Sequence, residues 1–276
     1  MFSLNCKGNL LFIENPLIMG ILNLTEDSFY AGSRVQDVEA IRAKAGDMIR
    51  EGAGILDIGA QSTRPGSNRI PAEEELGKLL PAITSLIASF PEIIISIDTY
   101  HAQVAEKCIH AGAAIINDIS GGEMDKNMIP TVAKMNVPYI CMHIRGTPET
   151  MQQNTQYQNI TKEILDFFIM KTEECKRAGI KDIIIDPGFG FGKNISQNFL
   201  LLKNMSVFKM LGKPILAGLS RKSTIYKTLK VPVEDSLNGT TVLNTIALLN
   251  GASILRVHDV KEAKEAITLF ESYNTA

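Results

Sequence analysis

The sequence predicts an α/β protein, a single (β/α)8 TIM barrel carrying a short N-terminal β-hairpin. Three observations point there. Eight short apolar or β-branched runs recur along the 276 residues. Segments with helical periodicity alternate with them at a repeat of roughly 30 residues, the length of one strand–helix unit. The runs are near-continuous in apolar residues rather than alternating, which marks strands buried on both faces of a parallel sheet. A doubly wound open sheet is the alternative, and the eight-fold count favours closure.

In chain order, residues 2–13 read as an extra hairpin placed to plug the bottom of the barrel. The strands follow at "LIMGIL" (17–22), "ILDIGA" (55–60), "IIISID" (93–98), "AIINDIS" (114–120), "VPYICMH" (137–143), "IIIDPG" (183–188), "PILAGL" (214–219) and "SILRVH" (253–258). Between them, "QDVEAIRAKAGDMIREGA" and "TKEILDFFIMKTEECKRAGI" carry the apolar spacing of amphipathic helices. Gly52, Gly112, Gly179 and Gly251 stand where such helices need a C-cap. The polar stretch 144–158, "IRGTPETMQQNTQYQ", reads as the longest top loop. No Pro/Gly/Ser-rich linker divides the chain, so residues 1–276 read as one domain.

Composition narrows the function. Hydrophobic content of 45% against 21% charged excludes a disordered chain. A net charge of −2 argues against a nucleic-acid or anionic-membrane surface. No apolar run reaches the roughly 18 residues of a membrane span. The N-terminus lacks the basic start and unbroken apolar stretch of a signal peptide. Cys6, Cys108, Cys141 and Cys175 have no metal-ligand or pairing spacing and read as reduced thiols of a cytoplasmic protein.

In a barrel of this kind chemistry sits where the strands end. Those ends carry Asn23, "QSTRPG", Asp98, Asn117, His143 with Arg145, Asp186, "SRKS" and finally Arg256 with His258. Singly, each has a plain reading. Asp98 could cap the following helix, Asn117 could bond loop backbone, and His258 could be a satisfied core histidine. Arg256 inside "ILRVH" must reach an anion, an acid or a ring face. Together the set is improbable as structure alone. Two carboxylates and an amide suit a flat heterocycle with adjacent N–H donors, since a carboxylate accepts two parallel bonds. A guanidinium can stack on such a ring. Arg64, Arg221, Lys222 and His258 supply cations towards the second and the last two strands, where barrels often hold phosphate. "DPGFGFGK" follows a buried strand but opens no helix at its glycines, and Asp186 would repel phosphate. Its glycines therefore read as room for close backbone approach, with Phe191 as an aromatic wall.

"MGILNLTEDSF" (19–29), "DIGAQSTRPG" (57–66), "SIDTY" (96–100), "INDISGG" (116–122), "MHIRGTPETMQ" (142–152), "DPGFGFGK" (186–193), "GLSRKS" (218–223) and "RVHDV" (256–260) together resemble the dihydropteroate synthase family, in that family's order. The resemblance implies condensation of 6-hydroxymethyl-7,8-dihydropterin pyrophosphate with p-aminobenzoate to give 7,8-dihydropteroate and pyrophosphate. By matching positions, Asp98, Asn117, Asp186 and Lys222 would hold the pterin edge, with Arg256 on its face. Asn23, Arg64, Arg256 and His258 would bind the pyrophosphate, with Mg2+ bridging it at Asn23. Thr63, Pro65, Phe191 and Ser220 would shape the p-aminobenzoate site. A homodimer is also implied. Asp98, Asp186, Lys222 and Arg256 would then be the catalytic set.

The chain departs from the family pattern in its first loop, where Glu26, Tyr30 and Ala31 replace the usual Pro, Ser and acidic residue. Gln61 replaces a Glu. Two other readings stand beside the synthase. One is a pterin-dependent methyltransferase relative, which has no need of "STRPG" or the "SRKS" cations. The other is a catalytically weak pterin-binding regulator.

Overall fold

The structure, a computed structural model, describes residues 1–24, 34–61, 69–153 and 155–276. Each of the eight runs holds one strand. After a hairpin of β1 (Phe2–Cys6) and β2 (Asn9–Ile13) come β3 (Leu17–Asn23), β4 (Ile55–Gly59), β5 (Ile94–Asp98), β6 (Ile115–Asp118), β7 (Tyr139–Met142), β8 (Ile183–Asp186), β9 (Leu216–Ala217) and β10 (Ile254–Val257). The helices between and after them are α1 (Arg34–Glu51), α2 (Ala72–Ser89), α3 (Ala102–His110), α4 (Met128–Met135), α5 (Ile160–Ala178), α6 (Ile195–Lys203), α7 (Ser223–Leu229), α8 (Leu237–Leu249) and α9 (Val260–Thr275). No helix among the described residues is long and apolar enough to cross a membrane.

The eight strands form one parallel sheet in the order β8-β7-β6-β5-β4-β3-β10-β9. A parallel bridge between Ile185 and Ile215 joins its two ends and closes the barrel. At this seam the Ile185 amide donates to the Pro214 carbonyl at 3.0 Å. Pro214 has no N–H for the ladder, and the seventh run accordingly supplies only the two residues of β9 plus the bridge.

Strand pleating sorts the apolar residues into two layers. Ile18, Leu22, Leu56, Ile58, Ile95, Ile97, Ile116, Cys141, Ile185, Ala217, Leu255 and Val257 pack outward with the helices. Their neighbours Met19, Ile55, Ile115, Ile140, Ile184, Leu216 and Ile254 point inward and fill the barrel floor. Leu4, Cys6 and Ile13 of the hairpin join that inner cluster, so the hairpin plugs the bottom as its position in the sequence predicts. The Asn5 amide also donates to the Asp182 carboxylate at 2.7 Å, tying the plug to the start of β8.

Two residues further along β4, β6, β8 and β10, the inner face turns polar. Asp57 follows Ile55, Asn117 follows Ile115, Asp186 follows Ile184 and Arg256 follows Ile254. The register places Asn117 level with Asp98 and Asp186 level with Met142. Near-continuous hydrophobicity thus hides a two-faced strand whose inner face changes character half-way up.

The glycines predicted as helix stops all take positive φ, Gly179 after α5 at 101°. At the start of α6, Asn194 and Gln197 form a reciprocal capping box. The longest top loop runs from β7 to α5, as expected. Arg145 holds it by donating to the Gln156 carbonyl and to Glu163 at 2.6 Å, and lies 3.8 Å from the centre of the Tyr157 ring. All four cysteines are buried and free.

Candidate active site

Arg256 is the centre of the barrel mouth. Its Nε donates to Asp57 Oδ2 and one terminal nitrogen to Asp98 Oδ2, both at 2.6 Å. Asn117 Nδ2 donates to the same Asp57 oxygen at 2.9 Å. The expectation that this buried cation must reach an acid is met twice over. Burial alone would lower the Arg256 pKa, but the charges of Asp57 and Asp98 outweigh it and hold the guanidinium charged. Asp98 is not a helix cap, because His101 occupies that position of α3. Burial pushes the Asp98 carboxyl up to about 7, with Arg256 opposing and the charges of Asp57, Asp118 and Asp186 adding to the rise.

Asp186 ends β8 beside Lys222, the residue that opens α7. Burial raises the Asp186 pKa, against the pull of Lys222 and a 2.8 Å hydrogen bond from the Gly188 amide. Burial likewise lowers Lys222 to about 8, against the pull of Asp186. The Lys222 ammonium donates to the Phe189 carbonyl and lies 4.7 Å from the centre of the Phe191 ring. Phe191 packs against Tyr100, Ile119 and Met142, a small apolar cluster apart from the main core. One end of the mouth is thus acceptor-rich, and an aromatic wall stands beside it.

The rim is more varied. Asn23 is exposed at the end of β3. Ser220 is buried, and its hydroxyl oxygen accepts from the His258 amide at 3.2 Å and lies 3.0 Å from His258 Nδ1. A hydroxyl oxygen has two acceptor sites and one proton, so either tautomer of His258 serves this contact. Burial first, and then the Arg256 charge, push His258 down to about 4 although its outer edge is exposed. It is therefore neutral at the rim, and the prediction of a cation there is corrected. Arg221 is corrected too. Its guanidinium clamps Asp259 with bonds of 2.8 and 2.9 Å and caps the Glu234 carbonyl at 3.0 Å, so it serves the wall rather than a ligand. Thr63, Arg64 and Pro65 lie outside the described residues, as do Glu26, Tyr30 and Ala31. Gln61, at the near end of that gap, accepts from the Ile70 amide at 2.9 Å and so ties together the two ends of the loop.

Sequence reasoning passed over two acids. Asp57 is fully buried, and its second oxygen has no hydrogen-bond partner among the described residues. The alternation Ile55, Asp57, Gly59 was its available signal, a charge on the inner face of an apolar strand. Asp118 faces away from Asn117. It accepts from the Ser120 amide and hydroxyl, the Gly122 amide and the Tyr139 hydroxyl at 2.7 to 2.8 Å, and shapes the loop after β6.

Comparisons with known proteins agree with this geometry. Residues 19–258 match the model of a family described as pterin binding enzyme. A dihydropteroate synthase of Clostridium beijerinckii is 43% identical over 256 residues, 92% of either chain. A solved dihydropteroate synthase of Xanthomonas albilineans with 4-aminobenzoic acid superposes with a TM-score of 0.92 at 36% identity, covering 99% of this chain and 98% of that one. Another from the same organism, in complex with 7,8-dihydropteroate, gives 0.89 at 33% identity over the whole of both chains. With its mouth residues, its strand order and these relatives in agreement, the chain belongs to the dihydropteroate synthase family of pterin-binding enzymes.

Proposed function

We propose that the barrel mouth condenses 6-hydroxymethyl-7,8-dihydropterin pyrophosphate with p-aminobenzoate, releasing pyrophosphate and 7,8-dihydropteroate. The observation that carries this reading is Arg256 set among Asp57, Asp98 and Asn117, with Asp186 and Lys222 across the mouth. These groups offer carboxylate and amide acceptors to ring N–H donors, and a guanidinium plane to a ring face. Asp98, Asn117, Asp186 and Lys222 hold the pterin edge and Arg256 its face. Asn23, Arg64, Arg256 and His258 meet the pyrophosphate. Phe191 walls the p-aminobenzoate site with Thr63 and Pro65. Ser220 bears on that site through its contact with His258.

The chemistry follows from the substrate. The carbon under attack is a CH2 on an electron-rich dihydropterin, which can share a developing positive charge. The C–O bond breaks with its electron pair going to pyrophosphate, the arylamine nitrogen forms the new C–N bond, and that nitrogen then loses a proton to solvent. A neutral arylamine is already a nucleophile, so no strong base is required. The protein's task is electrostatic and geometric. Asp98 and Asp186 face the developing cation, Arg256 and His258 face the departing oxygens, and the apolar wall at Phe191 excludes competing water.

Mg2+ belongs to this reading. It is a hard cation that takes oxygen ligands and commonly rides on substrate phosphates. The exposed Asn23 amide offers one such oxygen, and the described residues hold no cluster of three or more His, Cys, Asp or Glu able to bind a metal. That donor set fits an ion carried mainly by the pyrophosphate. When bound, it neutralises charge on the leaving group. The reading also places the protein in a reducing cytoplasm, in line with its four free cysteines. It further makes the protein a homodimer, and the exposed Leu229, Val233, Val242 and Leu249 around α7 and α8 support self-association.

The test is pyrophosphate release from the dihydropterin pyrophosphate with Mg2+, with and without p-aminobenzoate, the pterin product being identified by mass. Release that needs p-aminobenzoate and yields dihydropteroate is expected. Asp186→Asn and Lys222→Ala should each lose on the order of a hundredfold in kcat/KM with the fold intact. Near-normal turnover in both would refute the assignment. Tight pterin binding without any release would instead favour the regulator.

A further inference from the structure

Lys193 closes the "DPGFGFGK" turn, yet it faces no solvent, being 3% exposed. Its Nζ lies 2.8 Å from the Gly188 carbonyl, 2.9 Å from the Phe191 carbonyl, 3.1 Å from His143 Nδ1 and 3.3 Å from the His143 carbonyl. An ammonium has three protons and no acceptor site. Gly188 and Phe191 take two of them, and His143 takes the third through its carbonyl oxygen or its ring Nδ1. The imidazole fits that role. Burial first, and then the charges of Lys193 and Arg145, hold its pKa well below the ordinary histidine value. Burial holds Lys193 well below the ordinary lysine value, the Asp186 charge opposing and the charges of Lys222 and Arg145 adding to the fall; the carbonyl oxygens around Nζ are what favour its protonated form.

The glycines of the turn make this arrangement possible. A Cβ on Gly188 would stand 2.0 Å from the His143 carbonyl oxygen and 3.3 Å from Lys193 Nζ. One on Gly192 would stand 2.8 Å from the Arg145 carbonyl oxygen, and one on Gly190 would stand 3.3 Å from Lys222 Cδ. All three have positive φ, from 65° to 85°. The turn is folded back onto the end of β7 on one side and onto Lys222 on the other. A buried ammonium joins its carbonyls at both ends. Phe189, whose carbonyl accepts from Lys222, and the Phe191 ring are carried between those two points.

We propose that Lys193 is a positioning residue for the condensation: its ammonium fastens the loop between β8 and α6 to His143 and thereby sets the Phe191 wall of the arylamine site. This rests on the function proposed above. Asp98, Asn117, Asp186 and Arg256 stand on strands, and the loop reaches the pterin groups only through the Phe189 carbonyl on Lys222 and the Gly188 amide on Asp186, so the pterin end depends less on the fastening than the Phe191 wall does. The two substrates should therefore respond differently when it is removed.

The experiment is Lys193→Met, which keeps the stem and removes the ammonium, with Lys193→Gln as the second variant should the first fail to fold. Hydrogen exchange of residues 187–194 and pterin dissociation constants are measured alongside steady-state kinetics on the wild type and the variant. Exchange in that segment should rise while the rest of the barrel is unchanged. The KM for p-aminobenzoate should rise on the order of tenfold, with the pterin dissociation constant within about twofold of wild type. Unchanged exchange in 187–194 overturns the fastening. A parallel loss of pterin affinity overturns the positioning role and makes Lys193 a general stabiliser. Wild-type protein that releases no pyrophosphate in response to p-aminobenzoate refutes the enzymatic reading instead, and the exchange result still decides the fastening.

Discussion

At the scale of single residues, Arg256 shows how a charge survives among apolar strands. It is matched by two carboxylates, Asp57 and Asp98, each 2.6 Å away, and one of these is shared with Asn117. The match is uneven. Asp57 is fully buried beneath the guanidinium, whereas Asp98 ends its strand and is raised to about 7, by burial first. A ligand whose ring N–H groups need a carboxylate acceptor must bind the deprotonated form. Binding should therefore release a proton below about pH 7, and the dissociation constant of a dihydropterin should rise up to about tenfold for each pH unit below that value. Calorimetry in two buffers of different ionisation enthalpy measures the proton count directly, and a count of zero at pH 6 would dismiss this account. Asp57 acts through Arg256. Asp57→Asn should cut kcat/KM by roughly tenfold or more, since the guanidinium loses the partner that orients it. A change under about twofold in steady-state assays would show that Asp98 alone holds the cation.

At the scale of elements, the strands and loops divide the work. Strands carry the pterin groups because a parallel ladder fixes Cβ positions two residues apart, as with Asn117 above Ile115. Loops carry the wall of the second site and the anion-facing groups, where sequence can vary without disturbing the ladder. The hairpin β1–β2 has neither task. Leu4 is 2% exposed and fills the barrel floor together with Cys6 and Ile13. Leu4→Ala should cost about 3 kcal/mol, or roughly 6 °C in Tm, through lost burial and the cavity left behind. The kcat should not change, because the floor lies a full side-chain layer below Asp57 and Arg256. Thermal melts and assays on the same preparation check both halves, and a large kcat loss at retained stability would contradict the layering.

At the scale of the whole molecule, closure of the barrel is unequal around its circumference. β3 pairs with β4 over five residues, whereas β9 is two residues long and meets β8 through one bridge. This seam lies between β8, which ends at Asp186, and β9, whose following loop leads to Lys222, so opening there would separate the two groups. In native-state hydrogen exchange, amides of residues 215–217 should exchange ahead of those in β4 and β5. Equal protection around the ring would show that helix packing, rather than the ladder, holds the seam.

Much of this was legible in the sequence, and for a physical reason. Strand bodies must be apolar on both faces when helices cover one and a plug fills the other, so eight buried runs announce eight strands. Polar residues at the ends of such runs cannot be there for packing, so Asp98, Asn117, Asp186 and Arg256 could be read as a set. What the tertiary structure alone decided is which polar atoms meet. Asp57 and Arg256 lie 199 residues apart and are joined only because β10 and β4 flank β3. Lys193, at the end of a glycine-rich turn, is buried because the turn folds back on His143. Arg221, which reads in the sequence as a free cation next to Ser220, is claimed by Asp259. Periodicity along the chain reports burial, but pairing between side chains distant in sequence is set by barrel closure, and no local pattern encodes it.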